Sequence, residues 1–507
     1  MAKFPTNLAA VVLMVAPATA SPTDWLQFGY DQAHSGYNPN ESQINAENVK
    51  YFKSLYSVEL GAAAAPVYLS GVPGANGPHD VLIANLTDGH IAALDAATGA
   101  IIWSKQPAPA EPILHSTESA PAIDPSRNYV YAYGLDGKVH KYAVGDGTET
   151  IDGKWPVVST LKPTVEHGSA ALTIGHAASG ASYLYAVTNG FNGDGGDYQG
   201  HVTAIDLTTG AAKVFNANCS NLAIHFVENG TFGVNDCATP RSGIWGRPGV
   251  IFDSGTNRIY VATANGNFNA NVGGYNWGDS VLALAPDASS DGLGNPADSY
   301  TPANFYELEL YDIDLGSGAL AIVPAPAASK FQHLGAMVGK DAVLRLLNLD
   351  DMSGQNGPRF VGGELQSLPA GGWIDAPTPQ TAVWVDVHGD GSTWLFTAPP
   401  ISGVTGLQLV VDASGTPSLA TRWNVNLTFS SSPIVANDVL FAGDPPRALD
   451  PRTGAILWSP PLDTTSYSTT WGQPILVNGR LYVAGTILTV YGLLPDPIYS
   501  NGFEQAQ

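Results

Sequence analysis

Short apolar runs rich in β-branched residues alternate with tight-turn signals along almost the whole chain. Val81 to Ala84 (VLIA) leads through Asp88-Gly89 to Ile91-Ala92-Ala93-Leu94, then through Asp95-Ala96-Ala97-Thr98-Gly99 into a run that ends at Trp103. The same grammar returns between Tyr183 and Phe215, and again between Asp438 and Trp458. Weaker copies lie at 129–147, 258–284, 340–354 and 393–415, and a last one at 480–493. Each unit holds the sequence of four short strands in roughly 40–60 residues, the period of a propeller blade. A lone four-stranded sheet exposes two apolar faces; stacking blades in a ring buries both, and closing the ring removes the free edges. About eight such units predict an all-β chain forming a single eight-bladed β-propeller of four-stranded blades. The blades are expected over 61–493, after an N-terminal clasp at 24–60 and before a tail at 494–507. Within the clasp, the opening segment 24–49 is expected to close the ring against the last blade, as an outer strand or clasp.

The first 20 residues read differently. Lys3 is followed by the short apolar run Leu8 to Val15, and Pro17-Ala18-Thr19-Ala20 offers an A-x-A cleavage site before Ser21. This predicts a signal peptide at 1–20, and 21–507 as a periplasmic or secreted protein. No later stretch approaches the ~20 apolar residues of a membrane-spanning helix.

Composition sharpens the picture. The 44 acidic and 21 basic side chains leave a net charge of −23, which argues against nucleic acid and anionic membranes as partners and mildly favours cations such as calcium. Charged residues are only 13% of the chain, while 56 Gly and 37 Pro demand many turns and leave little room for helix. The two cysteines, Cys219 and Cys237, suit one disulfide in an oxidising compartment. No C-x-x-C-H occurs, so no c-type haem is expected.

Ala93 to Trp103 matches A-x-D-x-x-T-G-x-x-x-W, and Ala448 to Trp458 matches it again in full. Ala204 to Val214 follows it until the tryptophan, replaced by Val214. The Asp and Thr hold a tight turn, the Gly permits positive φ, and the Trp is expected to pack flat on the next blade. This pattern resembles the tryptophan-docking repeat of the pyrroloquinoline quinone (PQQ)-like propellers, over nearly the whole length after residue 20. That family includes quinoprotein alcohol dehydrogenases and also non-catalytic scaffolds, so the repeat speaks to fold and not to function.

The dehydrogenases of this family carry a stretch resembling G-G-S-x-W-G, a strand, then T-G-N-P. Here Arg241-Ser242-Gly243-Ile244-Trp245-Gly246 precedes a strand at 258–261 and Thr263-Ala264-Asn265-Gly266. The resemblance implies Trp245 as the floor on which PQQ stacks and Asn265 as a calcium ligand through its amide oxygen. In Tyr311-Asp312-Ile313-Asp314-Leu315 it implies Asp314 as the base that takes an alcohol's proton, with Asp312 the alternative. Lys340 matches a basic residue that hydrogen-bonds a quinone carbonyl. Two features depart from the pattern. The vicinal cysteine pair that covers the quinone is absent, and the loop Asp194-Gly195-Gly196-Asp197 stands where a glutamate ligand is expected. Asp194 or Asp197 supplies the right kind of oxygen there.

Two functions follow. One is a calcium- and PQQ-dependent dehydrogenase of a small-molecule alcohol or polyol, acting as a monomer. The alternative is a non-catalytic propeller that binds a protein or polymer partner. Tyr198, Tyr275 and Trp277 are candidate exposed aromatics for a sugar or polymer surface.

Overall fold

The computed structural model describes residues 23–74, 77–107, 116–191, 193–227, 237–371, 378–400, 402–427, 431–461 and 472–494. The expected signal peptide and nearly all of the expected tail lie outside them. Eight four-stranded antiparallel sheets form the eight blades of a β-propeller, and the one α-helix among the described residues is Phe305–Tyr311. In chain order blades 1 to 7 span 67–105, 122–158, 173–216, 251–300, 321–369, 382–425 and 434–458, innermost strand first. Blade 8 takes three strands from 475–492, and its outermost strand is Lys53–Glu59, paired antiparallel with Ile487–Gly492.

Segment 24–49 is therefore not the outer strand; the ring is closed by the residues just after it. It instead runs across the innermost strands, which would otherwise present unpaired N–H and C=O groups to the central channel. Trp25 exchanges backbone hydrogen bonds with Tyr68 of blade 1 at 2.9 and 2.8 Å. The Ile123 N–H of blade 2 donates to Leu26 O at 2.8 Å, and the Ile174 N–H of blade 3 donates to Gln27 Oε1 at 2.8 Å. Phe252 of blade 4 donates to Gln32 O, and Val383 of blade 6 donates to Ser35 O, both at 2.9 Å. Tyr37–Asn38 adds a parallel fifth strand to blade 7, and Asn38 Nδ2 donates to Leu476 O of blade 8 at 2.8 Å. One short segment thus touches the inner edge of seven blades in turn.

The docking repeat behaves as its chemistry demands. Asp95 Oδ1 accepts from the Ala97 and Thr98 N–H groups and the Thr98 hydroxyl, and Gly99 adopts φ +76°. A Cβ at Gly99 would also strike Tyr56 and Val58 of blade 8, so the turn is wedged between blades. Trp103 Nε1 donates to Val144 O of blade 2 at 2.8 Å, and Trp458 Nε1 donates to Phe52 O at 3.3 Å. The rings do not all lie flat. Trp458 meets Tyr491 edge-on, 5.1 Å between centroids at 69°, because its indole N–H must reach a carbonyl while its ring fills the gap. Trp423 plays the same part between blades 6 and 7, with Nε1 donating to Pro451 O at 3.1 Å. Its turn, Asp412-Ala413-Ser414-Gly415, is followed by a nine-residue strand, Pro417–Val425, that outruns the motif's spacing.

Candidate functional site

Loops that enter a blade's first strand, and loops that join its second and third, emerge on the same face of a propeller. Trp245 lies on the entry to blade 4 and Asp314 on the entry to blade 5. Asn265, Lys340 and Asp194 follow the second strands of blades 4, 5 and 3. Residues separated by up to 146 positions (340 minus 194) therefore meet. The Asp314 loop lies directly on the Asn265 loop: a Cβ at Gly316 would sit 2.4 Å from the Thr263 carbonyl carbon, so only glycine allows this approach.

Trp245 Nε1 donates to Asp314 Oδ2 at 3.0 Å, and the Asn265 N–H donates to Asp314 Oδ1 at 3.3 Å. Lys340 Nζ stands 3.2 Å from Asp314 Oδ2, 3.6 Å from Asp312 Oδ1 and 5.3 Å from the centre of the Trp245 ring. Asn265 Nδ2 donates to Asp194 Oδ2 at 2.6 Å and to Asp312 Oδ1 at 3.2 Å, joining two carboxylates through one amide. Tyr198, buried beneath, donates its hydroxyl to Asp194 Oδ1 at 2.9 Å.

Burial separates the two aspartates that the sequence left open. Asp314 is buried whereas Asp312 is exposed at the helix end, where φ +55° marks a left-handed cap. Burial raises the Asp314 carboxyl from 3.8 to about 6, against the opposing pull of Lys340. A carboxyl so tuned is poised to exchange a proton near neutral pH. Trp245 is half-buried, and the Lys340 side chain is 11% exposed, drawn inward by the carboxylates instead of extending to solvent.

Asp197 does not join this group. Its carboxylate pairs with the buried Lys162 at 2.9 Å, and Lys162 also donates to Gln199 Oε1 at 2.8 Å. The Cys219–Cys237 disulfide is present, with 5.9 Å between the Cα atoms. Of the three candidate surface aromatics, Tyr198 and Trp277 are buried and Tyr275 half-buried, because each packs under a loop that the strand pattern does not reveal.

Two charged groups were not singled out from the sequence. Arg241 Nη1 lies 3.2 Å from Glu309 Oε1 and 3.8 Å from Asp194 Oδ2. Glu309 projects from the Phe305–Tyr311 helix, its carboxyl raised chiefly by burial. Arg241 carried one available signal: a charged residue at a position where the resembled motif has glycine.

A family model described as "Outer membrane protein assembly factor BamB" matches residues 65–155. The dehydrogenase subunit of the quinone-dependent alcohol dehydrogenase of Gluconobacter oxydans (strain 621H) is 24% identical over 399 residues, 70% of this chain and 49% of that protein. The same subunit from Acetobacter aceti is 24% identical, covering 71% of this chain and 51% of its own length. The chain spans about half the length of these curated relatives. Among solved structures, the quinohemoprotein alcohol dehydrogenase ADHIIG of Pseudomonas putida HK5 superposes with a TM-score of 0.62 at 15% identity, over 93% of this chain and 80% of that one. The quinohemoprotein alcohol dehydrogenase of Comamonas testosteroni gives 0.60 at 17%, over 94% and 81%. The family-model match and the two relatives make the chain similar to the PQQ-like β-propeller proteins, and the superpositions show that it shares their fold.

In this propeller the cluster's donors can be weighed against the groups the resemblance implies. Four carboxylates, Asp194, Glu309, Asp312 and Asp314, face two cationic side chains, Arg241 and Lys340, leaving an excess of two negative charges. The acidic and amide oxygens are hard donors of the kind calcium takes. Among the described residues no three His, Cys, Asp or Glu side chains are already gathered as a metal cage. The Asn265 NH₂ explains this, since it holds the Asp194 and Asp312 oxygens in hydrogen-bonding positions. Rotating the amide by about 180° exchanges its donor for its acceptor and makes the set all-oxygen. The donor chemistry fits a divalent cation, and the half-buried Trp245 indole beside an ammonium has the chemistry of a site for a planar, carbonyl-bearing cofactor.

Proposed function

We propose that this propeller is an exported dehydrogenase that oxidises small-molecule alcohols or polyols with PQQ and calcium, outside the cytoplasm. The observation that carries the reading is the meeting of Trp245, Asn265, Asp314, Lys340 and Asp194 on one face, from five loops of three blades. In this reading Trp245 is the stacking floor, Lys340 binds a quinone carbonyl, and Asn265 with Asp194 and Asp312 holds the cation. PQQ, when bound, supplies a two-electron acceptor that takes hydride from the alcohol carbon.

This chain's own work is done by Asp314. Its carboxylate takes the hydroxyl proton as the carbon–hydrogen bond breaks, leaving a carbonyl product. Trp245 Nε1 and the Asn265 N–H fix the two carboxylate oxygens, so the base is held before substrate arrives. Lys340 counters the Asp314 charge and keeps the base ionised above about pH 6, so turnover is expected to rise through that pH.

A second reading, a non-catalytic scaffold, draws support from the same cluster: Arg241, Lys340 and the Asn265 amide already pair its acids. Calorimetric titration of the mature protein with PQQ and Ca²⁺ separates the two. Calcium-dependent, one-to-one binding lost in Trp245→Ala, followed by alcohol-dependent reduction of an artificial electron acceptor, supports the dehydrogenase. Absence of binding at high micromolar PQQ refutes it and favours the scaffold.

A further inference from the structure

Arg241 sits at a costly place in the backbone. It has φ +77° and Ser242 has φ +53°, two successive side-chain-bearing residues in a conformation that glycine adopts without strain. The backbone here is pinned on both sides: the Arg241 N–H donates to Tyr198 O at 2.7 Å, its carbonyl accepts from Gly200, and it bridges Gln199 and Gly266. The segment is thus a hub between the loops that carry Asp194 and Asn265. A left-handed residue at such a hub sends its side chain straight over the cluster. Glycine would adopt this backbone with less strain.

Arg241 Nη1 is 3.8 Å from Asp194 Oδ2, the oxygen that accepts from Asn265 Nδ2 at 2.6 Å. A cation drawing on this oxygen meets a positive charge 3.8 Å from it. Arg241 Nη1 already donates to Glu309 Oε1 at 3.2 Å, its closer partner of the two acids, and Glu309 Oε2 is buried with no hydrogen-bond partner. The side chain therefore keeps a partner when Asp194 is claimed by another cation.

We infer that Arg241 is a built-in counter-charge that sets how strongly the Asp194–Asn265–Asp312 cradle holds a divalent or trivalent cation. The inference rests on the cation-binding reading above and adds a positioning residue to it. Arg241 occupies part of the electrostatic role of the metal, lowering its affinity while keeping the acids from repelling one another in its absence. Removing the charge is expected to tighten cation binding by tenfold or more, since two like charges this close repel strongly in a partly buried setting.

The test uses the full mature protein and the metal alone. Terbium is titrated with excitation of tryptophan, Trp245 being the near sensitiser, and Ca²⁺ is then used to compete it off. Arg241→Gly removes both charge and strain, whereas Arg241→Gln removes the charge and keeps the strained backbone. Tighter binding by tenfold or more in both variants supports the inference. Equal affinity in Arg241→Gln and the parent protein overturns it while leaving the cation reading intact, and weaker binding in the variants overturns it in the same way. No binding by any of the three proteins overturns both the inference and the cation reading.

Discussion

Asp314 offers a consequence that can be worked through from the structure. Its carboxyl is buried and raised from 3.8 to about 6. Because the folded value lies above the unfolded one, the native protein keeps a proton that the unfolded chain has already released between those pH values. The stabilisation from this group is fully present below pH 3.8 and is lost as pH rises through about 6. Applying linkage to these two values gives a change of about 2 kcal/mol between about pH 4 and about pH 7. Asn at this position has no proton to lose and keeps nearly the same shape. Asp314→Asn should therefore gain about 2 kcal/mol or more relative to the parent protein as pH goes from about 4 to about 7, whatever its absolute stability. Titrating groups outside the cluster cancel in the difference. The assay is urea unfolding of both proteins at the two pH values, followed by tryptophan fluorescence. A difference between variant and parent that stays constant within about 0.5 kcal/mol, or that moves the other way, would show that Lys340 at 3.2 Å outweighs burial and would refute the argument.

Four further outcomes are expected. His140 is bracketed by Asp136 at 3.0 Å and Glu149 at 2.6 Å, and although burial opposes it, these acids raise its ring above 6.5. Its contribution is present below 6.5 and lost as pH rises through the raised value, so His140→Gln should cost more stability at about pH 5 than at about pH 9 in the same urea assay. Cys219→Ser with Cys237→Ser should lower stability by about 3 kcal/mol under non-reducing conditions, and no change in the urea midpoint would count against the cross-link. Trp103→Ala removes the Val144 hydrogen bond and an inter-blade packing unit, a loss of about 3–5 kcal/mol read as a fall in Tm. A chain beginning at residue 61 lacks both Lys53–Glu59 and the inner-edge segment, and should lose cooperative unfolding in calorimetry.

The repeat was legible because blade formation is local. Strand alternation, D-x-x-T-G turns and docking tryptophans all act within about a dozen residues, and their hydrogen bonds at Asp95 and Trp103 follow from residue type. The copy at 393–415 reads as a weak one because a longer strand separates its turn from Trp423. For segment 24–49 the sequence left outer strand and clasp open, and only the outer strand is excluded, because Lys53–Glu59 takes that place within the expected clasp 24–60. Nothing local tells it to pair with seven different blades; it does so because the assembled ring leaves inner-edge N–H groups that need partners.

For the site, sequence order and a motif resemblance supplied the candidates Trp245, Asn265, Asp314 and Lys340. Whether they meet was a matter of which loops share a face, and that is decided by blade order around the ring. Tertiary structure alone separated Asp314 from Asp312, two residues apart, by burying one carboxyl and exposing the other at a helix end. It likewise drew Asp194 toward Asn265 and Asp197 toward Lys162. The Arg241–Glu309 ion pair became visible only there, since a contact between residues 68 positions apart leaves no periodic trace in a chain. Local chemistry wrote the blades; long-range electrostatics, set by which surfaces the ring brings together, wrote the site.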